Sequence, residues 1–264
     1  MNKLNLLIII LIGITILACS SDDNNQNAFN QSQKLIKKIT VSQNDISQSI
    51  LTFEYGNNKL VSLTNDLDRK TEYAYLGSQL DYERILEYNF QTEIYDLEYE
   101  QTDFEYENNI LKSDVVTVNG NPIQKHDYFL QSSGKIVLYN FFNFTNNQWN
   151  SGGSRIFEYS YGNIIQEVQT DNTDAVVFKL QYTYDDKKHP LKNLDIQIKR
   201  RIWGYRLNAM NENNILSYAT YDENNNLLSS FSYAYQYDAD GFPIEREKTD
   251  SNGQVVETIS YEYE

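Results

Sequence analysis

Few residues in this chain have the type and spacing that chemistry requires. Its 264 residues include one cysteine, Cys19, and two histidines, His126 and His189. A histidine-based triad needs a nucleophile and an acid beside the imidazole, and no serine here sits in a nucleophile elbow. His126, in NPIQKHDYF, reads as a surface strand residue, and His189, before Pro190, as a loop residue. Beyond Cys19 there is no thiol, and a zinc site would need both histidines plus carboxylates. Glu98, Glu100, Glu105 and Glu107 could gather on one face as a glycosidase-type pair, although Glu alternating with an aromatic also describes a solvated strand face. Asp238, Asp240, Asp222, Asp66 and Asp68 offer oxygen ligands without EF-hand spacing, and turn formation accounts for them. No Gly-rich phosphate loop is present. The candidate ligand-binding aromatics are Trp149 and Trp203, which with Phe141, Phe142 and Phe144 could form a platform for a sugar or a protein. The expectation is therefore no catalytic residue, no metal site, no cofactor and no enzyme activity.

The elements that would position these residues are strands. Phe231, Tyr233, Tyr235 and Tyr237 alternate with small or polar residues, so the four rings fall on one face. Asp238-Ala239-Asp240-Gly241 then closes a turn, and Phe242-Pro243-Ile244 starts the return. The same unit, an aromatic strand ending at Tyr, an Asn/Asp/Gly turn and an aliphatic return, is echoed from Phe53 onward, as in FEYGNNKLVSL, FEYENNILKS and FEYSYGNIIQEV. Its spacing is irregular, which marks a hairpin meander and not a strict solenoid. The 22 Tyr and 12 Phe suit sheets whose rings pack while hydroxyls stay wet. Sheets with one aromatic face must curl so that these faces meet. The fold expected over residues 35–264 is one all-β domain, an antiparallel β-hairpin meander curled into a barrel-like or half-barrel sheet. Asn44-Asp45 should form the first turn, and Pro190 to Leu194 at most one short helical turn.

The N-terminus is a different kind of signal. Met1-Asn2-Lys3 precedes an apolar run, Leu6 to Leu17, too short to span a bilayer. It ends in Ile16-Leu17-Ala18-Cys19 and resembles a bacterial lipoprotein signal with its lipobox. The resemblance implies a signal peptide over 1–18, cleavage before Cys19 and lipid attachment to that cysteine, giving a membrane partner through the anchor. Ser20, Ser21, Asp22 and Asp23 resemble the export signal that sends Bacteroidota lipoproteins to the outer face of the outer membrane, the alternative being a periplasm-facing anchor. The polar stretch 19–34 reads as a flexible tether. The formal charge is −15, or −16 once Lys3 leaves with the leader, which disfavours nucleic acid as a partner. The basic cluster Lys199-Arg200-Arg201 reads as a solvated patch.

Two resemblances follow from the body of the chain. Tyr235-Gln236-Tyr237-Asp238 through Gly241, and Tyr182-Thr183-Tyr184-Asp185, look like YD repeats of the RHS type. The lipobox, YDDKKHPLKN (Tyr184 to Asn193) and YQYDADGFPIE together are similar to a family of Bacteroidota surface lipoproteins of unknown function with a porin-like, curled β fold. That resemblance covers about Leu35 to the end and carries no site residue. The strands have Glu, Asp, Lys and Asn on one face, whereas a membrane barrel needs an outward apolar band. The expected function is a lipid-anchored, non-enzymatic structural or interaction module, with a surface protein as its partner. The alternatives are a binder of neutral glycan or a small ligand through a concave aromatic face, and a carboxylate-dependent hydrolase. A filled interior would favour the first and an open aromatic cleft the second.

Overall fold

The computed structural model describes residues 34–43, 47–66, 68–202 and 209–264. The leader, Cys19, Ser20 to Asp23, the Asn44-Asp45 turn and Trp203 lie outside the described residues. The first quarter of the sheet is β1 (Ile36–Gln43), β2 (Ser47–Gly56), β3 (Lys59–Asn65) and β4 (Arg69–Leu76). It continues through β5 (Gln79–Asn89), β6 (Ile94–Glu107), β7 (Ile110–Val118) and β8 (Asn121–Leu130). Then come β9 (Ile136–Thr145), β10 (Gln148–Ser160), β11 (Asn163–Thr170) and β12 (Val176–Tyr184). After the short helix α1 (Ile196–Ile202), the chain ends in β13 (Ile215–Tyr221), β14 (Leu227–Tyr237), β15 (Pro243–Asp250) and β16 (Val255–Tyr263). Each strand pairs antiparallel with its sequence neighbours, and β16 pairs with β1, so the sheet closes as a full barrel. Leu35 and Glu264 exchange backbone hydrogen bonds across the seam. The expected helical turn at 190–194 is an irregular turn over 190–193; the helix follows it, at Ile196–Ile202.

The repeat seen in the sequence has a physical counterpart. Tyr55 donates its hydroxyl to the Ile36 carbonyl at 2.7 Å, Tyr75 to Leu60 at 2.9 Å, and Tyr106 to Leu80 at 2.9 Å. Tyr159 does the same to Ile136, Tyr184 to Ile164, Tyr235 to Ile215 and Tyr263 to Pro243. In every case the tyrosine is among the last three residues of an even-numbered strand, and the carbonyl belongs to the first or second residue of the strand before it. Leu60, Leu80, Ile136 and Ile164, which supply four of these carbonyls, are themselves almost fully buried. A bulge directly precedes Tyr55, Tyr75, Tyr106, Tyr159 and Tyr184. Bulges sharpen the local twist and disturb the ladder, so the hydroxyl serves a carbonyl near the rim that the ladder leaves under-used. The exception is β8: by register Leu130 takes the tyrosine's place, and Tyr128 turns to Asp114 instead.

Turn chemistry sets the register. Asn57-Asn58, Asn108-Asn109 and Asn146-Asn147 all have positive φ at both positions, the geometry of two-residue type I′ hairpins that matches strand twist. Longer turns are held by an aspartate: Asp222 accepts from the Asn224 and Asn226 amides, and Asp250 from those of Asn252 and Gln254. The Asp238 turn works the same way, and the Lys34 ammonium pairs with both of its acids.

Because neighbours run antiparallel, the two rims differ. Ends of even strands, starts of odd strands, Lys34 and the long β12–β13 connection (185–214) share one rim, and all other turns share the opposite one. The connection folds into the barrel. Leu191, Leu194, Ile198, Ile202 and Ala209 join Ile39, Phe53, Leu63, Leu80 and Phe104 in one core, while Met210 packs with Ile136, Phe157 and Ile164. The outer wall is mixed: Arg84 pairs with Glu72, Ser113 with Glu105 and Thr183 with Ser217, while Ile123, Phe129, Ile156, Val177 and Leu216 are exposed.

Burial raises the pKa of the latch tyrosines, Tyr106 to about 12 despite the opposing charge of Arg200. A phenol whose folded pKa lies above the unfolded value of about 10 stabilises the fold below that value, and the contribution is lost as pH rises through the folded pKa. In a spectrophotometric titration, the latch phenols should ionise together in one cooperative unfolding step. Tyr159→Phe should cost about 1 kcal/mol in urea melts, the net worth of one hydrogen bond, and Tyr161→Phe nothing measurable.

Candidate functional site

The barrel interior contains the densest grouping of functional side chains among the described residues. Its centre is Arg201, in the last turn of α1. The guanidinium donates from Nε to Glu83 Oε1 on β5 at 2.9 Å and from Nη1 to Asp114 Oδ2 on β7 at 3.0 Å, and it lies over the Phe104 ring. Asp114 is wholly buried and also receives the Tyr128 hydroxyl at 2.7 Å; its other oxygen lies 2.7 Å from His126 Nδ1. Burial alone would raise the Asp114 pKa, but the His126 hydrogen bond, the Arg201 charge and the Tyr128 hydroxyl outweigh it and hold the carboxyl below the usual range. Burial likewise disfavours charge on Arg201, and Glu83 and Asp114 more than reverse that.

Further pairs continue around the inner wall. Arg155 donates to Glu167 at 2.9 Å, and Tyr182 donates to the same carboxylate. Burial raises the Glu167 pKa, which Arg155 only partly offsets. Arg246 pairs with the buried Glu257 and stacks over Tyr233, while its Nε has no hydrogen-bond partner among the described residues. His126, Tyr139 and Phe157 form a run of ring contacts between the first two groups. This belt satisfies charge internally. Each of these carboxylates already has an arginine, no serine stands beside His126 as a nucleophile, and no group of carboxylates and histidines suited to a metal occurs among the described residues.

The residues expected from sequence are dispersed. Trp149 packs edge-on against Phe144 across the β9–β10 hairpin, and Phe142 shares that side of the strand with Lys125 over its ring. Phe141 has the opposite orientation and meets Tyr139. The aromatic run is thus split between the two faces of the wall, because it lies on a strand. Glu98, Glu100, Glu105 and Glu107 do not converge. Glu100 turns inward, where burial raises its pKa, Glu105 accepts from Ser113 on the outer wall, and Glu107 pairs with Lys112 beside a hairpin.

Two readings need correction. Lys199, Arg200 and Arg201 are not a solvated patch: Lys199 is buried, Arg200 donates to the Gly134 carbonyl, and Arg201 is the centre of the interior network. The cause is the inserted connection, whose partners are far away in sequence. His126 is on a strand but faces inward, bonded to Asp114 of the neighbouring strand. His189 is a loop residue as expected, and it is buried, accepting from the Leu191 amide. A lone aspartate in the aliphatic strand ILKSDVVTV was the one local sign that Asp114 needed a partner.

The outer wall carries a separate hollow of about 610 Å³ over β11–β14, lined by Gln166, Gln181, Thr183, Ser217, Ser230 and Ser232. Its floor is shallow because the side chains there are short.

No protein-family model matches this sequence, and no curated protein matches it. Among solved structures, a porin-like protein from Bacteroides uniformis aligns with 87% of this chain and 98% of its own length, at 11% identity and a TM-score of 0.51. A porin-like protein from Bacteroides vulgatus aligns with 87% of this chain and 99% of its own, at 12% identity and a TM-score of 0.51. At such identities the likeness is one of fold: an all-β, antiparallel barrel.

Removing one partner of the central network leaves an uncompensated buried charge. Arg201→Met should cost about 3–5 kcal/mol in chemical denaturation, whereas Arg84→Met, on the outer wall, should cost under about 1 kcal/mol. Because the Asp114 pKa is depressed in the fold, its stabilisation holds above the unfolded carboxylate pKa of about 3.9 and is lost as pH falls through the folded value. Asp114→Asn should therefore flatten the acid limb of the stability profile.

Proposed function

We propose that this chain is a lipid-anchored, non-enzymatic outer-membrane protein, exposed at the cell surface, whose barrel serves as a structural or interaction module. The observation that carries this reading is the filled interior. The β12–β13 connection occupies the lumen near one rim, and its charged groups are consumed by pairing with the wall. Charge committed to pairing in this way supports a structural role for the interior. The Arg84–Glu72 and Lys70–Glu72 ion pairs of the outer wall support a barrel that stands in water and not in lipid. The Cys19 motif supplies the anchor, and the Ser20-Ser21-Asp22-Asp23 segment supports surface export. The porin-like structures share the fold and are compatible with an envelope setting.

The second reading, a binder of neutral glycan, is favoured by the outer hollow, whose Gln, Ser and Thr lining carries hydroxyl and amide groups with no basic residue. Trp149 is not among the described residues that line it.

Intact mass and membrane fractionation test the anchor. The mature chain should begin at acylated Cys19 and partition with the outer membrane, and Cys19→Ser should move it to the aqueous fraction. In planar bilayers the purified protein should produce no conductance steps; regular steps would overturn the plugged, water-standing barrel. A thermal-shift screen with neutral oligosaccharides decides the second reading. A saturable rise in Tm that Gln181→Ala abolishes would put the glycan binder ahead.

A further inference from the structure

The two rims of the barrel differ in charge, and the chain enters at only one of them. Lys34, the first described residue, sits at the plugged rim, where its ammonium pairs with Asp238 and Asp240 and its carbonyl accepts from Asn193. The acids of that rim are offset by Lys34, Lys187, Lys188 and Lys192. The turns of the opposite rim contain no lysine or arginine of their own, although Arg69 directly follows one of them and Lys179 reaches Asn225 in another, and Asp66, Asp68, Glu93, Asp171, Asp222 and Asp250 stand in or beside them. Exposed apolar side chains occur at both rims. Leu76, Ile110 and Tyr161 project beside the plugged-rim hairpins, at 71%, 52% and 97% exposure, and Phe90, Ile94, Leu227, Leu228 and Val255 project at the acidic rim.

We infer that the plugged rim is a docking face for the lipid surface that carries the chain's own anchor, with Leu76, Ile110 and Tyr161 meeting the headgroup layer and the acidic rim held outward. The inference rests on the anchored reading above. The segment 20–33 can extend to about 50 Å, so the tether alone leaves either rim free to approach. Charge decides between them. An anionic surface repels the rim with the excess of acids and tolerates the one whose lysines balance its acids. A ten-residue strand spans about 33 Å, several times the ~8 Å screening length, so with the plugged rim down the acidic turns lie beyond the surface field. Apolar and tyrosine side chains flanked by lysine are the composition that settles at a headgroup boundary.

The test uses the full chain on vesicles of phosphatidylethanolamine and phosphatidylglycerol. Cys19 is the only cysteine, so Leu76→Cys, Ser78→Cys and Ser251→Cys each add one thiol for a polarity-sensitive fluorophore. Nitroxide-bearing lipid should quench the labels at 76 and 78 several-fold more than the label at 251. Ile110→Glu with Tyr161→Glu should erase the quenching at 78 without lowering Tm. Equal quenching at both rims, or none at either, overturns the docking face. Should intact mass show no lipid on Cys19, the anchored reading fails by itself. An N-terminal histidine tag on chelator lipid then supplies the tether, and the same asymmetry still decides the rim.

Discussion

A guanidinium buried in the middle of a barrel constrains everything around it. Arg201 reaches the interior only because α1 enters the lumen, and α1 can enter only where Glu83 and Asp114 stand ready to neutralise the charge. Taking such a group from water costs several kcal/mol, which the pair recovers only with good geometry and further hydrogen bonds. Both conditions hold. Asp114 accepts from Tyr128 and faces His126 Nδ1, and Glu83 receives Arg201 through Nε. A helix seated in another orientation would leave these carboxylates bare, so the network selects one seating of the connection among the many that its apolar residues would tolerate.

The division of labour between packing and polarity follows from this. Leu191, Leu194, Ile198 and Ile202 supply the apolar area, which is non-directional. The arginines supply direction: Arg201 toward β5 and β7, Arg200 toward the Gly134 carbonyl in the β8–β9 turn. Gly134 has positive φ, and a Cβ there would lie 3.0 Å from the Arg200 guanidinium, so a side chain at this turn would crowd the contact. The result is an interior whose charges are committed to the fold, which leaves the rims and the outer wall as the surfaces open to partners.

What could be read from the sequence was local. Strand, turn and aliphatic return lie within about twelve residues of one another, so FEYGNNKL announces its hairpin directly, and closure follows from repeated one-sided aromatic strands. The plug could not be read that way. Arg201 finds partners 118 and 87 residues away, and its own segment, IQIKRRI, looks like any short amphipathic stretch with a basic end. The Phe141–Phe144 run is contiguous in the sequence but divided in the fold for a related reason: adjacent residues on a strand point to opposite faces, so Phe144 meets Trp149 while Phe141 meets Tyr139.

The tyrosine latches bear on how such a wall could arise and change. Each unit offers the carbonyl of its returning aliphatic residue to the tyrosine of the next, and the last tyrosine, Tyr263, sits opposite Ile36 beside the seam, where Leu35 and Glu264 bond to each other. The ring therefore has no privileged starting unit: its break lies between two strands joined like any other pair. A gene encoding the same hairpins from a different origin would meet the same sequence of hydrogen bonds. Duplicating one hairpin would add one latch and widen the circumference, and only the lumen, sized to a single helix, would resist the change. Ring size in this architecture is thus set from within, by what must be filled.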